Sequence, residues 1–76
     1  MKITVKTYAS LREYTDGEGT VIMGLDEETC VGDVLRELGI PEDEVKILML
    51  NGKRVKLGAQ VGDGDRLAVF PPIAGG

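Results

Sequence analysis

The sequence predicts an α+β fold, a mixed sheet of four to five strands with one main helix packed across one face. Three observations carry this. Lys2–Tyr8 alternates polar and apolar residues with a period of two, the pattern of a half-buried strand. Val31, Val34, Leu35 and Leu38 recur at i, i+3, i+4 and i+7, the apolar stripe of a helix. Short apolar runs bounded by Gly, Pro, Asn and Asp lie on both sides of that helix. At 76 residues the chain is expected to be one domain, residues 1–70, followed by a flexible tail, residues 71–76, that ends in Gly-Gly.

Taken in order, Ile3 and Val5 of the first strand face the core, and Lys2, Thr4, Lys6 and Tyr8 share the opposite face. A short helical turn follows around Ala9–Tyr14, and Asp16-Gly17-Glu18-Gly19 reads as a tight turn. Gly19–Leu25 returns as the second strand. The helix starts at Thr29 or Cys30, with Asp33 placed early enough to suit the helix dipole, and Gly39 and Pro41 end it. After the acidic loop Pro41–Glu44, Val45–Leu50 is the third strand, and Asn51-Gly52 turns it into a short fourth strand near Arg54–Leu57. Gly62-Asp63-Gly64-Asp65 turns again. The last strand is Arg66–Phe70, with Leu67 and Val69 inward and Ala68 and Phe70 outward. Two strands, a helix, then two or three strands laid out in this way make the β-grasp.

Composition narrows the function. Thirteen acidic residues against nine basic give a net charge of −4, which repels phosphate backbones and makes a basic protein surface, rather than nucleic acid, the expected complement. The acidic stretch Asp26-Glu27-Glu28 reads as a solvated face that would also steer a basic partner. A single cysteine forms no internal disulfide, and without any histidine there is no Cys/His metal site and no ordinary general base near neutral pH. Catalysis by the chain itself is therefore not expected, and neither is a bound cofactor. Cys30 reads as a small residue packed at the helix start rather than a sulfur-handling nucleophile. No apolar run approaches the roughly 20 residues of a membrane span, so no membrane partner is expected and the cytoplasm is the expected location.

The tail Pro71-Pro72-Ile73-Ala74-Gly75-Gly76 has its own chemistry. The prolines have no N–H to donate, so they end sheet pairing and extend the chain. Six extended residues reach at most about 20 Å, enough to enter a partner's active site while the domain docks outside it. Gly75 and Gly76 lack a Cβ and pass where other residues would be obstructed. A free carboxylate at Gly76 is a poor electrophile until ATP converts it to an acyl-adenylate that a sulfur nucleophile can displace. Nothing in the chain performs that activation, so a partner must.

Gly62-Asp63-Gly64-Asp65-Arg66-Leu67-Ala68-Val69-Phe70-Pro71-Pro72-Ile73-Ala74-Gly75-Gly76 resembles the C-terminal signature of the molybdopterin synthase small subunit, and Tyr8–Tyr14 and Val31–Leu35 resemble the same family's first-strand exit and helix start. A looser similarity is to the thiamine-pathway sulfur carriers; both belong to the ubiquitin-like sulfur carriers. The resemblance implies that an E1-like enzyme adenylates Gly76 with ATP, that a sulfur donor system converts it to a thiocarboxylate, and that the tail then enters the large synthase subunit to supply the dithiolene sulfur of molybdopterin, or of its tungsten counterpart. It also implies partner-binding roles for Tyr8 and Phe70, which alternation already places together on the outer face, and for Arg54, where the family is apolar. Met49, outward if Leu48 and Leu50 face in, extends that patch, and Pro71 and Pro72 link it to the tail. Other destinations share the activated tail: thiamine, a thiolated tRNA base, a sulfur-containing amino acid, or isopeptide linkage of Gly76 to lysines as a ubiquitin-like modifier. A plain β-grasp interaction or RNA-binding module is the remaining reading.

Overall fold

The computed structural model describes residues 1–72. Five strands form one sheet: β1 (Lys2–Thr7), β2 (Thr20–Gly24), β3 (Ile47–Leu50), β4 (Lys53–Arg54) and β5 (Arg66–Phe70). Their order is β2-β1-β5-β3-β4, with β1 and β5 parallel and every other pair antiparallel. The helix α1 (Val31–Leu38) crosses one face, and 3-10 segments occupy Ala9–Thr15 and Glu42–Glu44. This is the α+β, β-grasp architecture the sequence predicts.

The alternating residues do what their period requires. Ile3, Val5, Leu67 and Val69 from the two central strands meet Val31, Val34 and Leu35 of α1, all at most 1% exposed, with Leu11 of the first 3-10 segment sealing one end. Each such side chain is worth about 1.5–3 kcal/mol of burial, which makes this layer the main source of stability. Gly39 ends α1 in the left-handed region at φ 80, where a side chain would be strained.

Three boundaries differ from the sequence reading, two of them for a hydrogen-bonding reason. The third strand starts at Ile47 instead of Val45, because Val45 N–H still donates to Glu42 O across the 3-10 turn of the acidic loop. The second spans Thr20–Gly24, narrower by one residue at each end than Gly19–Leu25. The fourth is Lys53–Arg54 and not Arg54–Leu57. Val55 N–H still reaches Leu48 O, but the chain then turns toward α1, where Leu57 O and Ala59 O accept the N–H groups of Gly32 and Val31 at 2.9 and 2.8 Å. These carbonyls satisfy two of the orphan donors at the helix start. Cys30 is the N-cap, half-buried; its N–H donates to Asp33 Oδ2 at 3.2 Å and its thiol approaches the same oxygen at 3.3 Å.

One buried polar cluster was not foreseen. Thr7, on the inward face of β1, meets Thr15 hydroxyl to hydroxyl at 2.9 Å; Thr15 donates to Arg12 O and accepts the Gly19 N–H, both at 3.0 Å. It fixes the turn between the first two strands. Gly19 is confined there, since a Cβ would stand 3.3 Å from Thr7 O in a backbone already at φ +79.

Two carboxyls are held below the usual carboxylate range. Asp65 accepts the Asn51 side-chain N–H and the Gly62 N–H, and Asp33 accepts first the Cys30 N–H, then its thiol, with Arg36 adding less. A depressed folded pKa contributes stability that is complete above the unfolded value, about 3.9 for Asp, and is lost as pH falls through the folded value. Thermal unfolding followed from pH 7 to pH 2 should therefore show a midpoint that is steady at neutral pH and falls below about pH 4. In Asp65→Asn the midpoint should start lower and fall less steeply.

Candidate functional site

Because Ile3, Val5 and Thr7 point to α1, the alternate residues of β1 point away from it, and the registers carry that parity across the sheet. Lys6 pairs with Ala68, Ala68 with Met49, and Met49 with Arg54, so these four form one row across the open face. Thr4 pairs with Arg66 and with Ile22, and Phe70 pairs with Ile47, giving rows on either side. No helix among the described residues covers this face.

Tyr8 continues the parity of β1 one residue past the strand, in extended backbone at φ −128 and ψ 151. Since β1 and β5 are parallel neighbours, its ring reaches Phe70. The two rings stack with centroids 4.4 Å apart and planes 8° from parallel. Such a pair is worth about 0.5–1.5 kcal/mol beyond its burial. Tyr8 is nevertheless 39% exposed, a flat aromatic surface open to solvent. Ala9 then turns the chain through φ 53, a left-handed conformation that costs an L-residue about 1–2 kcal/mol. Ala9→Gly should relieve this and, after the entropy glycine loses on folding, stabilise the fold by about 1 kcal/mol in chemical denaturation.

Phe70 O accepts the Lys46 N–H at 2.8 Å as the last rung of its ladder. Pro71, half-buried, and Pro72, exposed, follow without secondary structure, so the tail leaves the sheet beside the aromatic stack. Of the residues singled out from the sequence, Tyr8, Phe70, Met49 and Arg54 come together on this face and Pro71 and Pro72 adjoin it. Arg54 is the most peripheral, on the edge strand. Gly75 and Gly76 lie outside the described residues.

The charge of this face differs from what net charge implies. Lys2, Lys6, Arg54 and Arg66 are exposed on it, and none of the acidic residues lies in a strand. The acids sit in the loops, the 3-10 segments and α1. A chain of net charge −4 therefore presents a basic sheet, so the expectation of a basic complement does not extend to this surface. Lys6 and Arg66 were missed as site residues. Carrying the alternation of Tyr8 and Phe70 back along their own strands would have found both. Ile22, 68% exposed, also lies on this face, toward the edge. No helix among the described residues is long and apolar enough to cross a membrane.

Comparison with known proteins gives a consistent result. The model of the family described as Mut7-C ubiquitin matches residues 1–74. The chain is 32% identical to small archaeal modifier protein 3 of Haloferax volcanii, covering the whole of both chains. It superposes on the crystal structure of SAMP1 from Haloferax volcanii with a TM-score of 0.81 and 31% identity, again over 100% of each chain. A structure from Pyrococcus furiosus described as putative molybdopterin converting factor, subunit 1, has a TM-score of 0.78 and 27% identity over 96% of this chain and 99% of the other.

Proposed function

The chain belongs to the Mut7-C ubiquitin family, and on that premise we propose that it is a sulfur carrier whose working group is the carboxylate of Gly76. An E1-like partner adenylates this carboxylate with ATP, releasing pyrophosphate. A sulfur donor system then displaces AMP, and the tail ends in a thiocarboxylate. With a large synthase subunit as acceptor, the sulfur goes to the dithiolene of molybdopterin, and the carrier leaves with its carboxylate restored. Gly75 lets the end pass a narrow channel. The whole cycle runs where ATP is available, in the cytoplasm.

The observation that carries this reading is the placement of the stacked Tyr8–Phe70 pair at the point where the sheet gives way to Pro71 and Pro72. Aromatic anchors dominate interface cores. A partner held by this pair lies within the roughly 20 Å that the tail can span. The similarity to a putative molybdopterin converting factor subunit supports the acceptor. The similarity to small archaeal modifier proteins favours a second reading, in which the adenylated Gly76 is captured by lysines of other proteins instead of by sulfur.

Intact mass separates the two. Incubation with ATP, an E1-like enzyme of proven activity and a sulfur donor should give a gain equal to one oxygen-to-sulfur exchange. Peptides bearing Gly76 in isopeptide linkage to lysine, found in cell extract in place of that gain, would establish the modifier.

A further inference from the structure

The open sheet face combines three properties. First, Lys6, Arg54 and Arg66 are exposed on it, and no carboxylate among the described residues lies within 4.0 Å of their charged nitrogens; the one ion pair among those residues joins Arg36 and Asp33 on α1. Asp65 is engaged by Asn51 and the Gly62 N–H, and Asp63 by the Lys2 N–H at 2.8 Å; Glu18 lines a neighbouring cleft with Lys6, and Glu42 one with Arg54, neither within ion-pair distance. Second, a cleft of about 330 Å³ opens on the face, its floor formed by Met49, Ala68 and Phe70 and its sides by Lys6 and Arg66. Third, the cleft adjoins the origin of the tail.

We propose that this face docks an acidic protein surface that inserts an apolar side chain between Met49, Ala68 and Phe70 and sets carboxylates against Lys6, Arg66 and Arg54. The inference rests on the carrier reading only in assigning that surface to a protein that receives the tail. A neutral apolar partner would leave the cations without counter-charges as water is expelled, and a basic partner would be repelled at contact distance. Carboxylates flanking an apolar anchor satisfy both the floor and the sides. The rest of the molecule carries all thirteen acidic residues against five of the nine basic ones, so an acidic partner is favoured on this face. The same charges orient the partner's approach to the sheet.

The test uses two capped peptides, Glu-Glu-Leu-Phe-Glu-Glu and Lys-Lys-Leu-Phe-Lys-Lys, titrated into the full chain at 20 mM and at 300 mM salt while amide NMR shifts are recorded. The acidic peptide should move the amides of residues 4–8, 47–54 and 66–70, and its affinity should fall at the higher salt, where screening is stronger. The double variant Lys6→Glu/Arg66→Glu, both sites being exposed, should keep a dispersed spectrum and bind about tenfold more weakly. Lys6→Gln/Arg66→Gln should fall between the two and serves in its place if the reversal variant unfolds. Acidic-peptide shifts confined to α1 and the loops, equal response of the sheet to the basic peptide, or unchanged affinity in both double variants would overturn the proposal. So would concentration-dependent self-association through the same amides, which would make a second copy the occupant. None of these readouts requires sulfur on Gly76, so failure of the carrier reading shows separately, as no mass gain in the wild-type chain.

Discussion

Deleting Gly76 is expected to abolish sulfur loading outright while leaving the fold intact. No strand, helix or core residue lies beyond Phe70 among the described residues, so circular dichroism and the thermal midpoint should match those of the full chain. The new terminus is Gly75, still a glycine, but one residue shorter. An acyl group must sit within about 3–3.5 Å of its nucleophile to react, and the loss of one residue withdraws it by about 3.3–3.6 Å. Intact mass after treatment with ATP, activating enzyme and sulfur donor should show no exchange in the truncated chain. Loading at wild-type level would mean that the reacting carboxylate is not held by its distance from the docked domain, and the tail-threading account would fail.

Leu67→Ala is the second large effect, and it acts on the fold. Leu67 is fully buried at the middle of the sheet, paired with Val5 on one side and Leu50 on the other. Removing such a side chain costs about 2–5 kcal/mol through lost transfer energy and the cavity left behind. A 76-residue chain has about 4–11 kcal/mol in total, at about 0.05–0.15 kcal/mol per residue. The variant should melt at least about 10 °C lower, and at the upper end of the range it will not fold at 37 °C. Leu67→Met, which nearly conserves volume, should cost under about 1.5 kcal/mol. A calorimetric scan of the three proteins decides it. If Leu67→Ala melted within a few degrees of the wild type, the layer between the central strands and α1 would not be the source of stability.

The strands and the helix were legible because each has one face in the core, and burial writes a period into the residues. Ile3 and Val5, or Leu67 and Val69, carry that period plainly. The fourth strand was not legible. Val55 and Leu57 are apolar at strand spacing, yet the backbone there leaves the sheet to cap a helix 25 residues earlier, and no local pattern encodes a carbonyl's distant partner. The Thr7–Thr15 contact was hidden for a similar reason, since threonine is as common outside as inside and only the fold brings the two together. The aromatic half of the site could be read because parity and parallel pairing follow from strand order. Its electrostatic half could not be read from net charge, which sums over all faces. It needed the separation of Lys6, Arg54 and Arg66 from acids that are their near neighbours in sequence, such as Asp65 beside Arg66.

The order β2-β1-β5-β3-β4 sets a condition on biosynthesis. The last strand to be made is the central one. Until residues 66–70 have left the ribosome, β1 with β2 and β3 with β4 are two separate hairpins, neither with a sheet to share, and isolated hairpins are marginal in water. The sheet therefore closes only when Arg66–Phe70 is available to join the two hairpins. A fragment ending before Arg66 has neither Phe70 nor a core to hold Tyr8 in place. A chain cut short in this way therefore lacks the face on which the Tyr8–Phe70 stack sits.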